Sequence, residues 1–354
     1  MIGTDSSWVV PQSSRGHGPP VCSSATAQRI RCPLRRHWRE NSNGRCQEPP
    51  GESVTHVIIV AAILGLGPLA ADPALAQQVP AAIVADPLAD KEFPAALAVV
   101  SFSSHGVDLD ATLYLASGRG PHGAVVLLHG LPGYEVNGDL AQAIRRAGWN
   151  VLLFHYRGMW GAGGAFSFSS AIEDTAEAVR FLRDAATATK YRIDPRRVIL
   201  IGHSFGGFLA GYEGSRNPDL AGIAMISAVN LGRLNADPRE REIRLKRWST
   251  QLHPVRGVTA SELFAEAARH GTGWDYVRWT GALRGRALLI VIADDQNRTD
   301  MDALAAALRK NGSAALQHAA VETDHNFSDR RIALQTIVLG WLESLPSNAR
   351  GAKN

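Results

Sequence analysis

The run Val198-Ile199-Leu200-Ile201-Gly202-His203-Ser204-Phe205-Gly206-Gly207-Phe208 admits few folds. Its apolar, β-branched opening reads as a strand buried on both faces, and the small and apolar residues after Gly206 read as the start of a helix. Between them stands Gly-x-Ser-x-Gly, a pattern that a simple glycine-rich turn also satisfies. Strand before and helix after turn it into a nucleophile elbow. Ser204 then occupies a strained backbone position, and Gly202 and Gly206 lack the Cβ atoms that would collide there. The first free N–H of the helix, that of Phe205, points where negative charge would develop beside the serine.

The rest of the chain supplies a sheet for this elbow. Strands are predicted at Ala96–Phe102, Asp110–Leu115, Ala124–Leu128, Val151–Phe154, Ala221–Ile226, Ala287–Ala293 and Ala315–Val321, which with the elbow strand makes eight. The first two alternate enough for an antiparallel pair, whereas the third is continuously apolar. Helices are predicted between them: Gly138–Ala147, one opened by a Ser170-Ala171-Ile172-Glu173 capping box, Asp300–Lys310, and a closing helix from Ser328. Alternation of this kind predicts an α/β fold, a doubly wound and mostly parallel sheet with helices on both faces. Residues 228–285 interrupt it with charged helical pieces at Pro238–Trp248 and Ala260–His270 and an aromatic group, Trp274, Tyr276 and Trp279. They read as a small helical lid inserted over Ser204. Tyr156, Trp274 and Trp279 are candidates to line a substrate pocket, with packing in an aromatic core as the other reading.

Serine is a weak nucleophile at neutral pH and needs a base and a group to orient that base. Asp295 lies just past the strand Ala287–Ala293, at the carboxyl edge where such sheets collect functional groups. Asp294 is its rival, although the residue directly off a strand is usually committed to the turn. Among twelve histidines, His325 follows the last strand and precedes the closing helix, a place that meets Ser204 across the sheet edge. His203, inside the elbow, is expected to point away from the nucleophile, and Asp324 is read as a loop residue. His129-Gly130-Leu131 ends the third strand beside the elbow, so that the N–H groups of Leu131 and Phe205 would form an oxyanion hole. His129 itself is expected to pack or to hold the loop. No metal-ligand cluster or phosphate loop is legible, and no cofactor is implied.

Ser204, then Asp295, then His325, with His129-Gly130 ahead of the elbow, resemble the α/β-hydrolase superfamily over about residues 96–345. The runs His129-Gly130-Leu131-Pro132-Gly133 and Phe154-His155-Tyr156-Arg157-Gly158 are similar to the branch holding bacterial esterases related to acylaminoacyl peptidases and dienelactone hydrolases. Two departures stand out: serine rather than cysteine occupies the elbow, and no N-terminal propeller precedes it. The resemblance implies a cofactor-free serine hydrolase acting on small ester or acyl substrates, with a peptidase or amidase as the alternative. A non-catalytic binding protein on the same scaffold would be expected to have lost one of the three residues, and none is missing.

Residues 1–53, rich in Ser, Gly, Pro and Arg and holding Cys22, Cys32 and Cys46, read as a disordered extension or as sequence ahead of a later start near Val54. The apolar run Val57–Leu69 followed by Ala74-Leu75-Ala76 reads as a signal peptide within residues 54–76, cut after Ala76. The run is too short for a comfortable membrane span, and the mature hydrolase domain, 77–354, is expected to be periplasmic or secreted. The formal charge of +4 divides evenly, since residues 1–76 carry seven Arg against five acids. No basic stripe remains, and nucleic-acid binding has no support.

Overall fold

The apolar runs become the central strands of one eight-stranded sheet in the computed structural model, which describes residues 79–346 and, separately, a two-residue antiparallel pairing of Arg39–Glu40 with Cys46–Gln47. In chain order the sheet strands are β1 (Ala96–Ser104), β2 (Val107–Leu115), β3 (His122–Leu128), β4 (Asn150–Phe154), β5 (Ile193–His203), β6 (Gly222–Ile226), β7 (Leu288–Ala293) and β8 (Leu316–Val321). Their spatial order is β8-β7-β6-β5-β3-β4-β2-β1. β1 pairs antiparallel with β2 and β2 with β4; every other pairing is parallel.

Burial follows position. The outer strand β1 alternates between exposed and buried residues, whereas β6 and β7 are buried throughout because helices cover both faces. Successive residues of β3 feed the two layers. Val125 and Leu127 pack with Leu140 and Ile144 of helix Gly138–Arg146 and with Leu334 and Val338 of helix Arg331–Ser344. Val126 and Leu128 pack on the other face with Val179 of helix Phe168–Arg183 and Phe208 of helix Phe205–Gly214.

Two helix starts differ from expectation. Helix Phe168–Arg183 is capped by Ser167, whose side chain accepts from the N–H of Ser170 while the Ser170 hydroxyl accepts from the N–H of Ser167. Glu173, the expected capping partner, is instead ion-paired with Arg157. The closing helix begins at Arg331 rather than Ser328. Asp324 accepts from the N–H groups of Asn326 and Ser328, and Phe327 sits at φ 56°, so this stretch is a turn.

Residues 228–285 are helical, as the sequence predicts, with α-helices Pro238–Gln251 and Ala260–His270 and short helical turns after them. Glu266 ties this segment to the main fold by accepting the N–H groups of Phe168 and Ser169 at 2.9 Å, where that helix start would otherwise be unsatisfied. The expected signal segment, its Ala76 cleavage site and the three cysteines lie outside the residues whose side chains are described. No helix among the described residues is long and apolar enough to cross a membrane.

Candidate active site

β5 delivers Ser204 at φ 57° and ψ −115°, a backbone conformation that L-residues rarely adopt. The turn closes because its flanking positions carry no side chain. A Cβ on Gly202 would lie 1.9 Å from the Gly206 carbonyl oxygen, and one on Gly206 would lie 2.0 Å from that of Leu128. The Ser204 N–H donates to Ile226 O (2.8 Å), and the Ser204 carbonyl accepts from the N–H of Val229 (3.1 Å), fastening the turn to the end of β6.

His325 Nε2 is 2.9 Å from Ser204 Oγ, and His325 Nδ1 is 2.5 Å from Asp295 Oδ2. A carboxylate only accepts, so Nδ1 carries the proton and Nε2 presents its lone pair to the serine hydroxyl. Burial raises the Asp295 carboxyl, but hydrogen bonds from His325 and Ser227, the His325 charge and the Asn297 N–H together hold it below the usual carboxylate range. Asp294 is exposed and pairs with Arg298 at 3.2 Å, away from His325. The structure thus brings Ser204, His325 and Asp295 together and leaves Asp294 out.

The N–H of Phe205 opens helix Phe205–Gly214 and has no intrahelical acceptor by position. Leu131 and Phe205 line the same cavity as Ser204 and His325, a space of about 290 Å³. The loop that carries Leu131 is held from behind. Trp160 Nε1 donates to Pro132 O (2.8 Å), and His129 Nδ1 donates to Gly130 O (2.7 Å) while its Nε2 accepts from His155 Nδ1 (3.1 Å). Burial, only partly offset by the Gly130 bond, lowers the His129 pKa to about 3, so this ring stays neutral and serves as a strut.

The expected substrate-pocket aromatics are elsewhere. Tyr156 is fully buried, its hydroxyl donating to His129 O at 2.9 Å. Trp274 stacks on His270 at 3.7 Å and meets Phe168 and Phe208 edge-on; Trp279 packs on Phe208 and Tyr212. All three belong to the apolar core beneath the inserted segment, and none lines the cavity. The cavity wall is contributed instead by Trp248, Arg244, Arg247 and Gln251 of helix Pro238–Gln251, with Tyr134 and Glu135 from the loop after β3. Among the described residues no group of three or more His, Cys, Asp or Glu side chains is placed to hold a metal ion.

A family model described as "Alpha/beta hydrolase family" matches residues 125–333, more than half the chain. The chain belongs to the α/β hydrolase family. No curated protein matches it significantly by sequence. Solved structures match in fold. The esterase Pf2001 of Pyrococcus furiosus aligns at TM-score 0.55 and 16% identity, covering 72% of this chain and 93% of that one. An esterase from Pyrobaculum calidifontis aligns at TM-score 0.51 and 18% identity over 70% of this chain and 83% of its own. A 2,6-dihydroxy-pseudo-oxynicotine hydrolase aligns at 0.54 and 16%, over 72% and 68%.

Two polar side chains of this hydrolase make contacts that the sequence does not announce. Ser227, at φ 42° just past β6, donates to Asp295 Oδ2 at 2.6 Å, and its carbonyl accepts from Asn297 Nδ2 at 2.9 Å. His203 borders the same cavity as Ser204, its ring centroid lies 4.8 Å from that of His325, and its Nε2–H donates to the backbone oxygen of His325 at 2.7 Å. Burial, then the neighbouring His325, lower the His203 pKa to about 3, and its buried Nδ1 has no hydrogen-bond partner among the described residues. It is a neutral brace under the loop that presents His325.

Proposed function

We propose that the protein is a serine esterase that works through an acyl-enzyme. The observation that carries this reading is the unbroken hydrogen-bond chain from Ser204 through His325 to Asp295, with the serine on a strained elbow. His325 Nε2 takes the hydroxyl proton as Ser204 Oγ attacks the acyl carbonyl carbon. The N–H groups of Leu131 and Phe205 receive the oxyanion, and His325 returns the proton to the leaving alcohol oxygen. Water, deprotonated by the same nitrogen, then attacks the acyl carbon, and collapse of that second intermediate releases the acid and restores Ser204. Asp295 fixes the imidazole tautomer and stabilises its charged form.

In this reading the segment 228–285 acts as a lid, supported by the four residues of helix Pro238–Gln251 that line the cavity. The enzyme works outside the cytoplasm, a proposal motivated by the Val57–Leu69 run and the Ala74-Leu75-Ala76 site; N-terminal sequencing of exported protein should begin at Gln77.

Hydrolysis of a p-nitrophenyl ester series beside aminoacyl anilides tests the activity. Turnover of esters that Ser204→Ala lowers by about 10⁴-fold is expected. Equal ester turnover by Ser204→Ala, or efficient cleavage of anilides alone, would contradict the esterase reading.

A further inference from the structure

Helix Pro238–Gln251 has the composition of a charged surface helix, and Trp248 is its buried anchor. Its two cavity-lining arginines have no comparable reason to face inward. Arg244 and Arg247, three residues apart, share one side of the helix and both border the space that holds Ser204 and His325. Arg244 is half-buried; its Nη2 donates to Gln296 O at 3.2 Å, while its Nε is buried with no hydrogen-bond partner among the described residues.

The neighbouring carboxylates are engaged elsewhere: Asp300 with Arg233, Asp294 with Arg298, and Asp295 with His325 and Ser227. Glu135, the one acid among the described residues that lines the cavity, accepts the N–H of Asn137, and Glu240, one turn before Arg244, faces solvent. Burial and the adjacent Arg247 push the Arg244 guanidinium below the usual arginine range, and the charges of Glu240, Asp300 and Asp295 offset this only in part. A half-buried guanidinium with a like-charged neighbour on the same cavity wall is unfavourable until an anion joins them, and guanidinium groups suit a carboxylate or phosphate in a forked contact.

We propose that Arg244 and Arg247 form an anion subsite, so that the ester cleaved at Ser204 carries a carboxylate or phosphate group at the end remote from the scissile bond. The substrate part of this inference rests on the esterase reading above; the anion site itself does not.

Two measurements test it separately from the catalytic assignment. In the first, kcat/KM is compared for mono-p-nitrophenyl glutarate and p-nitrophenyl butyrate. The parent protein should favour the anionic ester, and Arg244→Gln or Arg247→Gln should reduce that ratio about 10- to 100-fold. In the second, calorimetry on the Ser204→Ala protein reads binding of glutarate, of inorganic phosphate and of neutral glutaramide without chemistry. Glutarate or phosphate should bind, glutaramide should not, and either arginine substitution should weaken the anion at least tenfold, with the tighter anion identifying the group. Arg247 is exposed, so its variant stays informative if Arg244→Gln fails to fold. Equal loss on both esters, binding of neither anion, or anion binding indifferent to both substitutions would overturn the proposal.

Discussion

The sheet edge that carries Ser204 and the helical segment that walls its cavity are specified in different ways. At the edge, backbone atoms approach so closely that the fold is decided by missing Cβ atoms: Gly202 against Gly206 at 1.9 Å, Gly206 against Leu128 at 2.0 Å, Gly207 against the Ala228 side chain at 2.7 Å. In the segment 228–285, side chains decide over most of the length, Gly232, whose Cβ would lie 2.3 Å from the Asp275 backbone nitrogen, being an exception. Trp248 leans on Phe264, Trp274 on His270 and Phe208, and glycines such as Gly273 and Gly281 have open space around them. The first kind of order tolerates almost no substitution and leaves a sequence signature. The second tolerates exchange of one apolar shape for another and leaves only a helical period.

The largest expected effect lies at the edge. Gly206→Ala should cost more than about 3 kcal/mol of stability, because the obstacle is a strand carbonyl that cannot move aside. Gly281→Ala, with no atom within 4 Å of the added Cβ, should be close to neutral. Comparable losses in urea unfolding of the two variants would break the contrast.

Asp295→Asn should lower kcat about 10⁴-fold, since the amide can no longer enforce the imidazole tautomer, while Asp294→Asn leaves it nearly intact. Ser227→Ala, which removes one of the bonds to the carboxylate, should cost about tenfold. A reversed order for the two aspartates would reassign the acid.

In the helical segment, Trp248→Leu should shift preference toward longer acyl chains by about tenfold, the scale of one or two methylenes in an apolar pocket. Trp279→Leu should change stability without changing that profile, because it packs away from the cavity. Identical chain-length profiles for the parent and the Trp248 variant would sharpen the assignment by removing this wall from the acyl side.

The smallest effect is a pH dependence. The folded His203 pKa, about 3, lies below the ordinary 6.5, so the unfolded chain binds protons that the folded one refuses. The stabilisation is fully present above pH 6.5 and is lost as pH falls toward 3. His129 acts in the same direction, as do His155 and His318, so His203→Gln should reduce the slope of stability against pH in that window without abolishing it. An unchanged slope would mean the ring is not held neutral.

The contrast also explains how much was legible beforehand. The strands, their alternation with helices and the positions of Ser204, Asp295 and His325 followed from apolar runs and from the rule that functional groups collect at the carboxyl ends of strands. Ser227 escaped, and His203 was read only by its place in the elbow, because their hydrogen bonds to Asp295 and to the His325 backbone are made across 68 and 122 residues. The pocket aromatics were misplaced for a related reason. Trp248 and Trp279 look alike in sequence, and only the packing of the inserted segment decides that the first borders the cavity and the second faces helix Phe205–Gly214.

The central claim is that Ser204 is an activated nucleophile. A fluorophosphonate probe followed by intact-mass and peptide mapping reads this directly, because it labels serines whose hydroxyl proton has somewhere to go. A single adduct is expected on the peptide holding Ser204, abolished in Ser204→Ala and strongly slowed in His325→Ala. Stoichiometric labelling that persists in Ser204→Ala, or an unmodified parent protein, would contradict it.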